Sequence, residues 1–164
     1  MNEREQKALE TVKTYMWWSL GAGLIPVPFV DLVAVSGVQL KMLASISKIY
    51  DVQFQANSGK AIIASLGGFV VPHAMSFGML GCVLKAVPVV GVLAGAPAMG
   101  LFSAASAWAL GKVFIQHFES GGTFLNFDPE KVKAYYQQQL EEGREVAANM
   151  GAEKKTKGVR EAVV

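Results

Sequence analysis

The two histidines, His73 and His117, are the residues most suited to proton or metal chemistry in this chain. Neither has a cysteine or a carboxylate at ligand spacing around it, so the sequence gives a metal site little support. An imidazole inside an apolar helix can mark a proton or ion path. Alternatively, His73 is a neutral ring that bonds a backbone carbonyl deprived of its donor by Pro72. The residue types leave both interpretations of His73 open.

Asp31 follows a Pro-x-Pro turn formed by Pro26 and Pro28, and its carboxylate could act as an acid or a base. Such chemistry needs a second group within reach, and no His, Lys or carboxylate stands in local register. An Asp directly before an apolar helical pattern is typical of a helix N-cap. We therefore interpret Pro26, Pro28 and Asp31 as a structural turn and cap.

The run Asn57-Ser58-Gly59-Lys60 is similar to the end of a phosphate-binding loop. That motif needs a glycine where Phe54 stands, a Ser or Thr where Ala61 stands, and a buried strand before it. The single cysteine, Cys82, lies in an apolar run and cannot form an intramolecular disulfide. We predict no catalytic residue, no cofactor and no metal, and hence a protein that is not an enzyme.

Two uncharged runs, residues 61–84 and 86–111, are separated by Lys85 alone. At about 1.5 Å per residue, each could form a helix of roughly 35 Å, enough to cross a bilayer core. A soluble helix needs only one apolar face, whereas these runs lack charge around the whole circumference. The sequence therefore predicts an all-α fold built on a membrane-embedded helical hairpin. Lys85 at its tip would bind lipid phosphate or extend to water.

Amphipathic helices are predicted to flank the hairpin. Residues 2–14 mix charges of both signs and predict an exposed helix that runs into Trp17 and Trp18. Tandem tryptophans at a polar-to-apolar boundary are typical of the headgroup layer, and Trp108 would mark the second such level. Residues 31–50 repeat apolar residues at helical spacing, with Gln39, Lys41, Ser45 and Lys48 on the remaining face.

The second uncharged run is rich in small residues at four-residue spacing, which allows helix backbones to approach closely in lipid. The predicted packing or oligomerisation residues are Gly91, Gly95, Ala96, Gly100, Ala104, Ala107 and Gly111. The pattern does not distinguish contact within one chain from contact between chains. Because a two-helix hairpin cannot use all of this surface, we expect a homo-oligomer.

After a glycine-containing loop over residues 116–127, Asp128-Pro129-Glu130 predicts the start of a further helix. Val132, Tyr136 and Leu140 form its apolar stripe, and it is expected to end near Asn149. We predict a single helical membrane domain over residues 1–149. Residues 150–164 combine small residues with basic charge and no periodicity, which indicates a disordered C-terminal tail.

The overall composition excludes some classes of protein. A net charge of +2 is too small to indicate nucleic acid binding. The first residues lack the basic stretch of a secretory signal, so we expect neither cleavage nor export. The positive-inside rule places both termini in the cytoplasm, because lysines outside the hairpin outnumber Lys85 at its tip. These lysines are Lys41, Lys48, Lys60, Lys112, Lys131 and Lys133.

The order of several short segments resembles the YcjF-like family of bacterial membrane domains. The first half contains Leu24-Ile25-Pro26-Val27-Pro28-Phe29-Val30-Asp31 and Val38-Gln39-Leu40-Lys41-Met42. The second contains Val87-Pro88-Val89-Val90-Gly91, Ala109-Leu110-Gly111 and Gln116-His117-Phe118-Glu119-Ser120-Gly121-Gly122. The resemblance spans roughly residues 17–125, although Phe29 stands where the family pattern has a small residue. It implies an all-helical, membrane-associated domain, often linked to GTPases, and it implies no catalytic residues.

Together, these patterns predict a non-enzymatic integral protein of the bacterial inner membrane. It would act as a self-associating scaffold or anchor in the lipid bilayer, in concert with a separate GTPase partner. Two alternatives remain: a channel or transporter subunit, for which the two runs offer few polar residues, and an amphitropic pore-forming protein that is soluble until its hairpin inserts.

Overall fold

The computed structural model describes residues 2–22, 30–74 and 90–162, and within these residues the secondary structure is helical with no strand. The helices are α1 (Glu3–Ala22), α2 (Val30–Ile49), α3 (Ala56–Ala74), α4 (Val90–Glu119) and α5 (Pro129–Ala162). The predicted all-α class is confirmed for this part of the chain. The side chains of residues 22–33, 68–98, 151 and 153–162 lie outside the description.

Capping residues begin two of the helices. The Asn2 side chain accepts a hydrogen bond from the Glu5 amide at 2.7 Å and caps α1. Asp128 does the same for α5, because its Oδ1 accepts from the Glu130 amide at 3.1 Å. Pro129 then occupies the first helical position, where no backbone donor is required. The predicted start of this last helix is confirmed.

Schellman motifs end α2 and α4. Asp51 has φ 57°, and the Val52 amide donates to the Ser47 carbonyl at 2.8 Å. Gly121 has φ 77°, and the Gly122 amide donates to the His117 carbonyl at 2.9 Å. A left-handed residue followed by this long-range bond turns the chain back sharply. These turns return the chain to the bundle after each helix.

Helix α4 lies at the centre of the bundle and packs against α1, α2 and α5. Helix α3 packs mainly against α2 and α5, so the described residues do not establish side-by-side packing of α3 and α4 as a hairpin. The fully buried side chains come from α1, α2, α3, α4 and α5 alike, and include Val12, Met42, Leu66, Phe114 and Tyr136.

Contacts near the chain reversals show how the helices run. The start of α1, the end of α2 and the end of α4 meet at one end of the bundle, through Asn2, Arg4, Tyr50, Asp51 and Glu119. We call this the polar end. At the opposite end α1, α3 and α5 finish, and α2 and α4 begin. We call this the apolar end, after the uncharged runs of α3 and α4. The described parts of the two uncharged runs, residues 61–74 in α3 and 90–111 in α4, therefore both extend towards this end.

Three features of the helices differ from prediction. The predicted exposed helix at the N-terminus instead buries one face, with Ala8, Val12 and Met16 at 0% exposure. Helix α3 begins at Ala56, ahead of the uncharged run, and continues through Pro72 to Ala74. Helix α5 continues to Ala162, so the helix does not end near Asn149. Alanine, lysine and glutamate between residues 150 and 162 favour helix without requiring an apolar stripe, which periodicity alone does not reveal.

Candidate membrane-facing surface

A hydrogen-bonded network closes the polar end. The Asn2 amide donates to both Glu119 carboxylate oxygens at 3.1 and 3.0 Å, and the Tyr50 hydroxyl donates to Glu119 Oε1 at 2.8 Å. Arg4 and Asp51 form an ion pair at 3.5 Å alongside. The bond from Tyr50 and those from Asn2 lower the pKa of Glu119, while burial and the neighbouring Glu119 raise the pKa of Tyr50. One carboxylate thus joins α1, α2 and α4.

An aromatic cluster lies beneath this network and anchors the loop that follows α4. Phe114 is fully buried and stacks on Phe127 with ring centroids 4.8 Å apart. Phe118 and Phe124 approach Phe114 at 5.4 and 5.3 Å. Aromatic pairs in these geometries stabilise beyond their buried area. Phe124 and Phe127 therefore hold the loop against Phe114 of α4.

His117 belongs to this cluster and holds the loop. Its Nε2 lies 2.9 Å from the Thr123 carbonyl oxygen, so this nitrogen donates a hydrogen bond. A side chain at Gly122 would collide with the imidazole ring, so the loop needs glycine at that position. Within the described residues no group of His, Cys, Asp or Glu could hold a metal ion. His73, Cys82 and Lys85 lie outside the described side chains.

A seam of small residues joins α4 to its neighbours. A Cβ at Gly111 would collide with Val12 of α1, so these two backbones are in close contact. On the other side, a Cβ at Gly143 of α5 would lie 2.8 Å from the Ala105 carbonyl oxygen. Close backbone approach of this kind is what small residues permit. The sequence analysis did not single out Gly143, which only its place opposite Ala105 makes significant.

Several of the predicted packing residues therefore act inside the chain. Ala104, Ala107 and Gly111 are buried within the bundle, as is Gly100, so a neighbouring subunit cannot contact them in this structure. The surroundings of Gly91, Gly95 and Ala96 lie outside the described side chains. The same holds for Pro26, Pro28 and Asp31. Helix α2 begins at Val30, which places Asp31 inside the first turn, and its capping role stays a prediction.

Trp108 does not mark a membrane interface, and that prediction is wrong. Only 5% of this residue is exposed, and it packs on α5 opposite Gly143. The ammonium group of Lys112 lies 5.8 Å from the ring centroid, within range of a cation–π contact. An aromatic residue near a charged one gives the same sequence pattern at an interface and in a core. Trp108 lies on the face of α4 that packs on α5, which identifies it as a core residue.

Trp17 and Trp18, in contrast, are exposed near the end of α1 that leads to the apolar end. Their exposed fractions are 38% and 66%. Lys13 stands four residues before Trp17 and shares its helix face. Large aromatic side chains left exposed on a helix surface are candidates for contact with an external partner. The structure is consistent with the predicted interfacial position of these two residues, and the partner itself stays a prediction.

A buried polar layer crosses the core between the two ends. Gln39 donates to the Ser106 hydroxyl at 3.2 Å, and Ser106 lies 3.1 Å from the Tyr136 hydroxyl. Burial raises the pKa of Tyr136. Gln39 is only 4% exposed, so its predicted place on the polar face of α2 is wrong. Its position three residues before Met42 and seven before Ile46 is the signal that identifies its buried face.

No helix in the described part of the chain meets the length and hydropathy required of a membrane span. The described residues thus comprise a bundle with its own core, polar at one end and bearing exposed tryptophans towards the other.

The amino-acid sequence is similar to one described family and to one named membrane protein. The family described as "Domain of unknown function (DUF697)" matches residues 1–145. Magnetosome membrane protein 22 of Magnetospirillum gryphiswaldense is 33% identical over 156 residues, which cover 95% of this chain and 80% of that protein. No solved structure matches the chain.

Proposed function

The chain belongs to the DUF697 family, and from this premise we propose that it is a non-enzymatic membrane protein that acts as a scaffold or anchor. The proposal rests on the exposure of Trp17 and Trp18, which lie near the end of α1 that leads to the apolar end. Lipid covers the apolar end, and the polar end faces the cytoplasm of a bacterial cell. The name of the relative, a magnetosome membrane protein, supports a membrane location.

The membrane-embedded part is the hairpin predicted from residues 61–84 and 86–111, without the stretch of α4 around Ala104, Ala107 and Gly111 that the bundle buries. Helices α3 and α4 both direct these uncharged segments to the apolar end. Charge at the polar end, where Arg4, Asp51 and Glu119 interact, keeps that end in water. The inner membrane, with both termini cytoplasmic, follows from the lysines that flank the hairpin.

Extraction of cell membranes with alkaline carbonate tests this proposal. We expect the wild-type protein to stay in the pellet and to leave it only with detergent. A Trp17→Ala, Trp18→Ala double variant should be extracted more readily, whereas Leu125→Ala should behave as wild type. Leu125 is a matched control because it is a large apolar residue, 77% exposed, near the polar end. Release of the wild-type protein by carbonate would contradict an integral protein.

An amphitropic protein is the second candidate, and α5 favours it. This helix packs against α3, yet Glu141 and Glu145 on α5 face water. Carboxylates beside the uncharged segment of α3 suit a bundle that is soluble until the apolar segments separate from it. Recovery of wild-type protein from both the soluble and the membrane fraction, with exchange between them, would favour this candidate.

The finer assignment to a YcjF-like branch and a GTPase partner rests on the sequence resemblance. The polar end is the surface open to such a partner, since the opposite end is directed to lipid. A photo-crosslinking side chain at position 125 should capture the partner, and one at position 18 should not. Capture from position 18 alone would contradict this orientation.

Self-association stays part of the proposal in a narrower form. Because Ala104, Ala107 and Gly111 are used inside the bundle, contact between subunits would involve the first half of α4, with Gly91, Gly95 and Ala96. We expect Gly95→Leu to reduce the mass of the detergent-solubilised particle, while Gly37→Leu, on an exposed position of α2, leaves it unchanged. A wild-type monomer in nanodiscs would contradict the homo-oligomer.

A further inference from the structure

The surface between α1 and α2 combines an exposed tryptophan with a lysine that has no carboxylate partner among the described residues. We infer that this surface, defined by Trp18 and Lys41, binds anionic phospholipid headgroups. The inference rests on the proposed membrane location and adds a lipid preference to it.

Two contacts fix how α1 and α2 lie together. Arg4 pairs with Asp51 at the polar end, and further along the two helices the Tyr15 hydroxyl lies 3.0 Å from the Ser45 hydroxyl. Residue numbers rise along α1 while they fall along α2, so the helices are antiparallel. The Tyr15–Ser45 contact marks the line where they meet.

One helical turn beyond this contact, both helices present a side chain to solvent. Trp18 stands three residues after Tyr15 and is 66% exposed. Lys41 stands four residues before Ser45 and is also exposed. Residues three or four apart share a helix face, and both steps lead towards the apolar end. Trp18 and Lys41 therefore flank the same groove at a similar height.

The charge on this surface selects the occupant. Neither Lys41 nor Lys13 forms an ion pair with a carboxylate of the described residues. Tryptophan prefers the headgroup layer, and an ammonium group beside it is placed to meet a lipid phosphate. Trp17 and Lys13 repeat the combination on another face of α1. A bilayer with anionic headgroups fits both pairs at once.

Lys48 provides a matched control for Lys41. It lies seven residues further along α2, on the same exposed face, and two turns nearer the polar end. Lys41→Glu and Lys48→Glu make the same charge change on the same helix. They differ in distance from the proposed headgroup layer, which is the quantity under test.

Flotation with vesicles tests the inference on the full chain. Purified protein is diluted out of detergent into vesicles rich in phosphatidylglycerol or made of phosphatidylcholine alone, and circular dichroism verifies the helicity of each variant. We expect wild type to favour the anionic vesicles, with a preference that weakens at high salt. Lys41→Glu should lower this preference about five-fold, in keeping with the contribution of one lysine near an anionic surface. Lys48→Glu should keep it.

The outcomes separate the two proposals. Equal flotation of wild type with both kinds of vesicle overturns the anionic preference and leaves the membrane location standing. Equal losses for Lys41→Glu and Lys48→Glu overturn the assignment to this surface. Flotation of wild type with neither vesicle overturns both.

Discussion

The two ends of this bundle differ in the residues that surround the helix termini. At the polar end, Asn2, Tyr50 and Glu119 connect three helices through hydrogen bonds, and Schellman motifs satisfy the final carbonyls of α2 and α4. Towards the apolar end, α1 presents Trp17 and Trp18 to the outside. The first end is complete within the described residues, whereas the proposed function assigns the second end to lipid.

The tryptophans differ in burial in the same way. Trp108 is buried where α4 meets α5, and Trp18 is exposed where α1 nears its end. Burial of the first contributes to the stability of the fold. Exposure of the second makes the bilayer the natural partner. Substitutions at the polar end should therefore change stability, and substitutions at Trp17 or Trp18 should change membrane association.

The largest loss of stability is expected from Phe114→Ala. Phe114 is fully buried and contacts Phe118, Phe124 and Phe127. Its truncation should lower the free energy of unfolding by about 3–5 kcal/mol, as measured by denaturant unfolding in detergent. Leu125→Ala, in the loop that packs on Phe114 but with an exposed side chain, should change it by less than about 0.5 kcal/mol. Similar losses for both variants would contradict a packed polar end.

A smaller loss is expected from Gly111→Ala. The new methyl group collides with Val12, and such overpacking costs about 1–3 kcal/mol. Val12→Ala in the same chain should restore part of this loss by making room. Gly37→Ala is the control, because no atom lies near Gly37, and removal of a helical glycine there should stabilise by up to about 1 kcal/mol. A neutral Gly111→Ala would show that α1 and α4 are not in close contact.

Asp128→Ala should cost about 1 kcal/mol, because it removes the acceptor for the Glu130 amide at the start of α5. Asp128→Asn keeps an acceptor at that place and should retain most of the stability. Thermal unfolding followed by circular dichroism measures both. If the two variants lose the same amount, the charge of Asp128 matters rather than its cap.

The smallest effect is expected from Glu119→Gln, and it should depend on pH. The pKa of Glu119 is lowered in the folded protein by the hydrogen bonds of Tyr50 and Asn2. Its contribution is therefore present above the unfolded pKa and is lost as pH falls through the folded value. Wild type should be slightly more stable than the variant at neutral pH, and the gap in melting temperature should close in acid. A gap that stays constant would contradict this role of the carboxylate.

Local chemistry made part of this structure predictable. The start of α5 follows from Asp128-Pro129-Glu130, and the buried stripe of Tyr136 and Leu140 follows from helical spacing. The role of Trp108 did not follow, because a core and an interface select the same residue there. The role of Gly143 did not follow either, since it depends on Ala105, a residue far away in sequence.

The candidate surface was predictable to a similar degree. Tandem tryptophans next to an uncharged stretch indicate Trp17 and Trp18 from sequence alone. The pairing of Trp18 with Lys41 needs the contact between Tyr15 and Ser45, which no periodicity contains. The small-residue pattern of α4 predicts close contact correctly, but only Val12 and Ala105 show that much of this contact lies within the chain.

Cysteine labelling in intact cells tests the difference between the two ends most directly. On a Cys82→Ser background, Leu125→Cys places a thiol near the polar end, and Lys85→Cys places one between the two uncharged runs. A membrane-impermeant maleimide should label position 85 in intact cells and reach position 125 only after lysis. Labelling of position 125 from outside intact cells would contradict a polar end in the cytoplasm. If both positions are protected in intact cells and both are labelled after lysis without detergent, the apolar end does not cross the membrane.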